Sequence, residues 1–240
     1  MSALAHMLEE RGTPTVTIGL VRMHMEQTRS PRGLFVPFQL GRPLGEPEDA
    51  EFQHRVLRQS LDLLERTDGP VILADFPDDP PNWQDTAAWQ PPALVASLAP
   101  TDPAGWAEAF AQELAVLRPH WLAAQARFGR TTVGLSAQAT TDWPGFAAKF
   151  LAGELPTVPG HATPALALRF LCDDVKAYYS ESAQAHGMAP SSRQIDTWFW
   201  RETIAGQLLI ALRAAAVQSE NNALKTVGSR FFVPGQWLAG

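Results

Sequence analysis

The sequence predicts a mixed fold, α+β to α/β, in which a partial parallel-sheet α/β segment over residues 1–80 precedes a mainly helical domain over 101–240. Three observations predict it. In the first third, short apolar runs rich in β-branched residues alternate with helical patterns, as in a buried parallel sheet. All eight tryptophans lie beyond residue 80, so the chain changes character there. Beyond residue 100, helix start and stop signals follow one another. The 240 residues, 45% hydrophobic and 18% charged, suffice for one large core or two smaller ones.

Residues 3–11 read as a short helix closed by Gly12. Residues 15–20 (TVTIGL), 34–38 (LFVPF) and 70–74 (PVILA) read as strands. Between the last two, Phe52, Val56, Leu57, Leu61 and Leu64 recur at helical spacing and predict a helix over 48–66, with Pro47 at its start. Three strands and two helices are too few for a complete doubly wound domain, so the sheet calls for completion by another chain. Residues 81–100 read as an extended connector, because Pro80, Pro81, Pro91, Pro92 and Pro100 forbid a continuous helix or central strand. Its Trp83 and Trp89 predict that it is docked, since free linkers rarely carry indoles.

In the second part, Thr101-Asp102-Pro103 opens a helix to about residue 118, with Pro119 interrupting. Asp142 opens a helix through residue 151 closed by Gly153, and Thr163-Pro164 one to about residue 185 ended by Gly187. Ser191 with Gln194 fits a capping box for a helix to about residue 217. Residues 130–140 fit helix, strand or loop equally.

Several classes are excluded. A net charge of −6 does not suit sequence-independent binding of nucleic acid. A single cysteine, Cys172, leaves no disulfide framework or cysteine-cluster zinc site, and a buried core thiol is its expected role. The first residues lack the basic head and apolar core of a signal peptide. The stretch 204–217, interrupted by Gln207 and Arg213, does not read as a membrane span. A cytoplasmic protein is the expectation.

Residues 9–66 carry, in order, EERGTPTV, RGLFVP at 32–37, PLGEP at 43–47 and the Arg- and Leu-rich helix HRVLRQSLDLLER. This ordered set resembles the C-terminal segment of the selenoprotein B-type subunit of the glycine, sarcosine, betaine and D-proline reductases. The family's cysteine or selenocysteine motif lies upstream of that segment and is missing here, and residues 81–240 have no counterpart. The resemblance implies an oxidoreductase subunit in a hetero-oligomer. A companion α/β subunit would carry the redox group, and a small amino-acid-like or carboxylated substrate would undergo reductive cleavage of a carbon–heteroatom bond. It leaves the cofactor and the electron donor open.

Two constellations are candidates for chemistry. The stretch VRMHMEQTRSPRG holds Arg22, Arg29 and Arg32 with His24 and Glu26 and reads as a loop between strands. Loops beyond the carboxyl ends of parallel strands form ligand crevices, where guanidinium groups suit a carboxylate and His24 suits acid–base work. The plainer reading is that these arginines are solvated or pair with Asp and Glu of a partner subunit, and that Met23 and Met25 anchor the loop. The following GRPLGEP places Arg42 as a further binding candidate, or forms a tight turn. In the helical part, Ile195, Phe199, Glu202, Gly206, Leu209 and Arg213 share one helix face, which puts Glu202 in an apolar stripe. Ala167, Leu171, Asp174, Tyr178 and Glu181 share another. Buried carboxylates there would be catalytic, or would join a structural network with Arg169, Arg201, Tyr178 or Trp198.

The six histidines include no His-x-x-x-His pair and no doubled Glu-x-x-His, and the metal readings left are the soft-metal triplet Met23-His24-Met25 and an assembled site such as His120, His161 and Asp174. Trp198, Phe199, Trp200 and Trp237 offer an aromatic pocket or core packing. The preferred expectation is the reductase-like subunit. The alternatives are a non-catalytic binding or assembly subunit and an enzyme with a carboxylate or metal site in its helical domain.

Overall fold

A computed structural model describes residues 2–38, 41–45, 49–78, 85–94, 99–188 and 190–238. The chain divides into two compact units, 1–84 and 85–240.

The first unit contains α1 (Ser2–Glu9), β1 (Thr17–Gly19), α2 (Arg22–Thr28), β2 (Arg32–Phe35), α3 (Ala50–Asp62) and β3 (Ile72–Asp75). The strands form one sheet in the order β1-β2-β3, parallel throughout, with Ile18 opposite Leu34 and Leu34 opposite Ala74. They lie within or beside the expected runs. Proline decides two boundaries: Pro37 and Pro70 have no N–H for the ladder, so β2 ends before one and β3 starts after the other.

Alternation along β2 gives its two faces different work. Gly33 faces α2, where an added Cβ would lie 2.7 Å from Met25 Cε, and at Gly19 it would lie 2.3 Å from Met25 Sδ. Only glycine lets α2 sit this close to the strands. Leu34 points the other way, into a core with Phe52 and Val56 of α3. Phe38, Phe52 and Phe76 complete it, with ring centroids 5.4–5.6 Å apart. Asp49 caps α3 by accepting from the Phe52 N–H at 3.1 Å.

The segment read as a polar loop is therefore a helix over residues 22–28, anchored by buried Met25 while Met23 stays exposed. Residues 41–45 form the tight turn. Gly45, at φ +87°, donates to the Arg42 carbonyl and lies against the Phe52 ring, where a Cβ would come within 2.7 Å. Glu46, Pro47, Pro80, Pro81 and Trp83 lie outside the described residues.

The second unit is helical: α4 (Pro103–Phe128), α5 (Trp143–Leu151), α6 (Pro164–Ala183), α7 (Ser192–Glu202), α8 (Ile204–Gln218) and α9 (Asn222–Val227), then a π-turn over Gly228–Phe232 and a 3-10 turn over Gly235–Trp237. The described residues contain no helix long and apolar enough to cross a membrane. Cys172 is fully buried in the core, and burial pushes its thiol up to about 12.

Two helix expectations need correction. First, α4 passes through Pro119 and ends only at Gly129. Anchors on both sides hold it: Leu117 is fully buried, and Trp121 stacks 4.9 Å from Tyr178 and donates to Glu181. Second, the run expected as one helix after Ser191 is two. Thr203 is extended, and its Oγ1 donates to the Phe199 carbonyl and accepts from the Gly206 N–H, closing α7 and opening α8. At Gly206 an added Cβ would lie 2.1 Å from the Phe199 oxygen, so the break requires glycine there.

Candidate functional site

The sheet direction separates the arginines expected to share one crevice. Arg22 follows β1 and sits beside Asp75, the last residue of β3, at the carboxyl edge of the sheet. Arg32 opens β2, and α2 runs back between them, so Arg32 lies at the amino edge. Arg29 is exposed and takes the left-handed conformation that ends α2, also toward that edge.

Each edge neutralises its own charge. Arg22 pairs with Asp75 and, through Nε at 2.9 Å, with Glu26. Arg32 holds both oxygens of Glu9 at 2.6 and 2.8 Å. Burial pushes the Glu9 carboxyl up, but Arg32 and the Thr15 donors outweigh it and hold it below the usual range. His24 is exposed on α2, and Arg42 is half-buried in the tight turn. The plainer reading expects carboxylates of a partner subunit, whereas Arg22 and Arg32 pair with carboxylates of their own chain.

In the helical unit, Asp174 is fully buried and saturated with donors. The N–H groups of Gly134 and Leu135 donate to Oδ1, both at 2.9 Å, and the N–H and Oγ of Ser136 donate to Oδ2 at 2.8 and 2.6 Å. Successive amides around a carboxylate make an anion nest, here filled by the protein itself. One helical stretch further along α6, Glu181 accepts from Trp121, Thr131 and Thr132. The ambiguous stretch 130–140 is thus a loop pinned to α6 by two carboxylates. His161 Nε2 donates to the Ser136 carbonyl at 2.8 Å, so His161 and Asp174 meet at this loop, whereas His120 stacks 5.3 Å from His186. Among the described residues no group of three or more His, Cys, Asp or Glu is placed to hold a metal.

Sequence reasoning missed Glu113. It lies in the stripe Phe110, Glu113, Leu114, Leu117 of α4, and that stripe was its signal. Its Oε1 accepts from the Ile204 N–H at 2.7 Å, and its Oε2 from the Ala205 N–H at 3.0 Å and the Tyr179 hydroxyl at 2.6 Å. Burial raises this carboxyl above its usual range despite those donors.

Glu202 is exposed, not in an apolar stripe, because the break at Thr203 ends the face on which it was placed. It lies instead on the wall of a cleft of about 290 Å³ with Asp85, Trp89, Arg193, Gln194 and Trp198. Residues 85–89 form one side and are stitched onto the start of α7. Asp85 accepts from the Ser191 hydroxyl at 2.8 Å and from Arg193 at 2.7 Å, and Arg193 with Ser191 holds its carboxyl below the usual range. Gln194 exchanges two hydrogen bonds with the Thr86 backbone, and the Trp89 indole donates to the Ala183 carbonyl at 3.1 Å. Trp89 is thus docked, as its presence in the connector predicts. Glu202 has no hydrogen-bond or ion-pair partner among the described residues. Arg169, expected as a partner of Asp174 or Glu202, pairs instead with Asp173 at 3.7 Å and lies over the Phe231 ring, and Arg201 lies against the Trp237 ring.

No family model, curated protein or solved structure matches the chain.

Proposed function

We propose that this chain is a subunit of a reductase-like hetero-oligomer, serving assembly and ligand holding while a companion α/β subunit brings the redox group. The observation that carries this reading is the sheet: three short parallel strands, with no described strand on the outer side of β1 or β3. Parallel sheets are ordinarily larger and covered at their edges. Two further observations support it. The one thiol of the sequence is sealed in the core with its thiolate disfavoured. The buried carboxylates Asp174 and Glu113 are occupied by internal donors. The resemblance over residues 9–66 supplies the reaction class, reductive cleavage of a carbon–heteroatom bond in a small amino-acid-like or carboxylated substrate.

The strand edges give the test. Ile72 donates to the Pro31 carbonyl and Phe76 to that of Phe35, and the Gly19 carbonyl accepts from the Val36 N–H. Neighbouring residues alternate sides in a parallel ladder, so Ile18 and Leu73 present their N–H groups outward. Proline at either position removes an outer donor and keeps the internal ladder. We expect Leu73→Pro or Ile18→Pro to abolish co-purification of the companion, measured by mass spectrometry of affinity-purified full chain, while the circular dichroism spectrum is kept. Retention of the companion by both folded variants contradicts strand completion.

A further inference from the structure

We propose that the cleft beside α7 binds a small organic cation, an ammonium or guanidinium group whose charge meets Glu202 and whose body lies against the Trp89 and Trp198 indoles. None of these residues belongs to the α/β unit, so this binding stands whether or not a companion subunit is present.

Three features select this ligand. The cleft, about 290 Å³, admits a small molecule and carries two large aromatic side chains on its walls. Indole faces attract cations, more so when water is excluded. The charge balance of the walls is negative: Arg193 is engaged by Asp85, while Glu202 has no partner among the described residues. Glu202 is also the last residue of the 11-residue α7, where the helix dipole is negative and favours a cation. The nearest basic neighbour in sequence, Arg201, is directed at the Trp237 ring, 5.5 Å from its centroid.

The test is a titration of the full chain at constant ionic strength, followed through its indole N–H resonances. The probes are n-butylammonium and tetramethylammonium, with n-butanol and butyrate as neutral and anionic controls. We expect saturable shifts of a small subset of indole resonances with the two cations and none with the controls. Glu202→Gln, at an exposed position, weakens binding about three- to tenfold, as expected for one partly solvated charge pair. Arg193→Gln, which releases the Asp85 carboxylate into the cleft, tightens it. Equal response to butanol, preference for butyrate, or unchanged affinity in Glu202→Gln overturns the proposal. So does weaker cation binding in a folded Arg193→Gln chain.

Discussion

Asp174→Ala is expected to destabilise the helical unit by about 3–5 kcal/mol, because four donors, the two of Ser136 fully buried, lose their acceptor at once. Backbone N–H groups in the 134–136 loop then have to find water, and the loop detaches from α6. Asp174→Asn keeps the shape but turns an amide NH₂ toward N–H donors on one side, so it is expected to cost about 1–3 kcal/mol. Urea unfolding at pH 7 reads both. For alanine the melting temperature should fall by about 10 °C. Amide exchange at residues 134–136 should quicken more than exchange in α8. If alanine is tolerated within about 0.5 kcal/mol, Asp174 is not the pin of this loop and its burial must serve another purpose.

Glu113→Ala is expected to cost about as much, roughly 3–5 kcal/mol, since it strips the first two N–H groups of α8 and the Tyr179 hydroxyl of their acceptor inside the core. Its pH dependence has a definite sign. Burial raises the folded carboxyl above its ordinary value, so the folded state binds this proton more tightly than the unfolded chain does. The contribution is therefore fully present below the ordinary glutamate pKa and is lost as pH rises through the raised folded value. Wild type should lose stability relative to Glu113→Gln, which cannot ionise, as pH is raised from about 4 to 8. Urea midpoints of both proteins across that range check this. A wild type that gains on the glutamine variant with rising pH contradicts it.

The parts of the fold that could be read from the sequence are those with local causes. Ser191 and Gln194 form the capping box, and Asp102 and Thr163 accept the expected amide bonds at their helix starts. Strand β1 lies inside its expected apolar run and β3 passes the end of its own only at Asp75, whereas β2 overlaps its run only at Leu34 and Phe35. Punctuation failed where tertiary contacts overrode it. The apolar period runs across Thr203 without a gap, and only the pairing of Thr203 with Gly206, held from outside by Glu113, breaks it. Pro119 removes one hydrogen bond from α4, yet packing on both sides outweighs that loss.

The site was less legible because its determinants are non-local. The donors around Asp174 are backbone amides, which any residue type could provide, so residues 134–136 carried no side-chain signature for three of the four bonds. Arg22 and Arg32 are close in sequence and stand at opposite ends of the sheet, since a parallel connection must travel back along the strands. Glu202 was found for a reason that proved wrong. The helix break turns it outward, where it lines the cleft.

The central claim we propose is that the α/β layer, three strands among the described residues, is completed by a second polypeptide that brings further strands and the redox group. The most direct measurement is native mass spectrometry of the affinity-purified full chain, with reductive turnover assayed on each separated species. The account predicts that activity resides only in species heavier than the 26.2 kDa chain and containing an α/β companion with a reactive cysteine or selenocysteine. Reductive turnover by the 26.2 kDa monomer alone contradicts it.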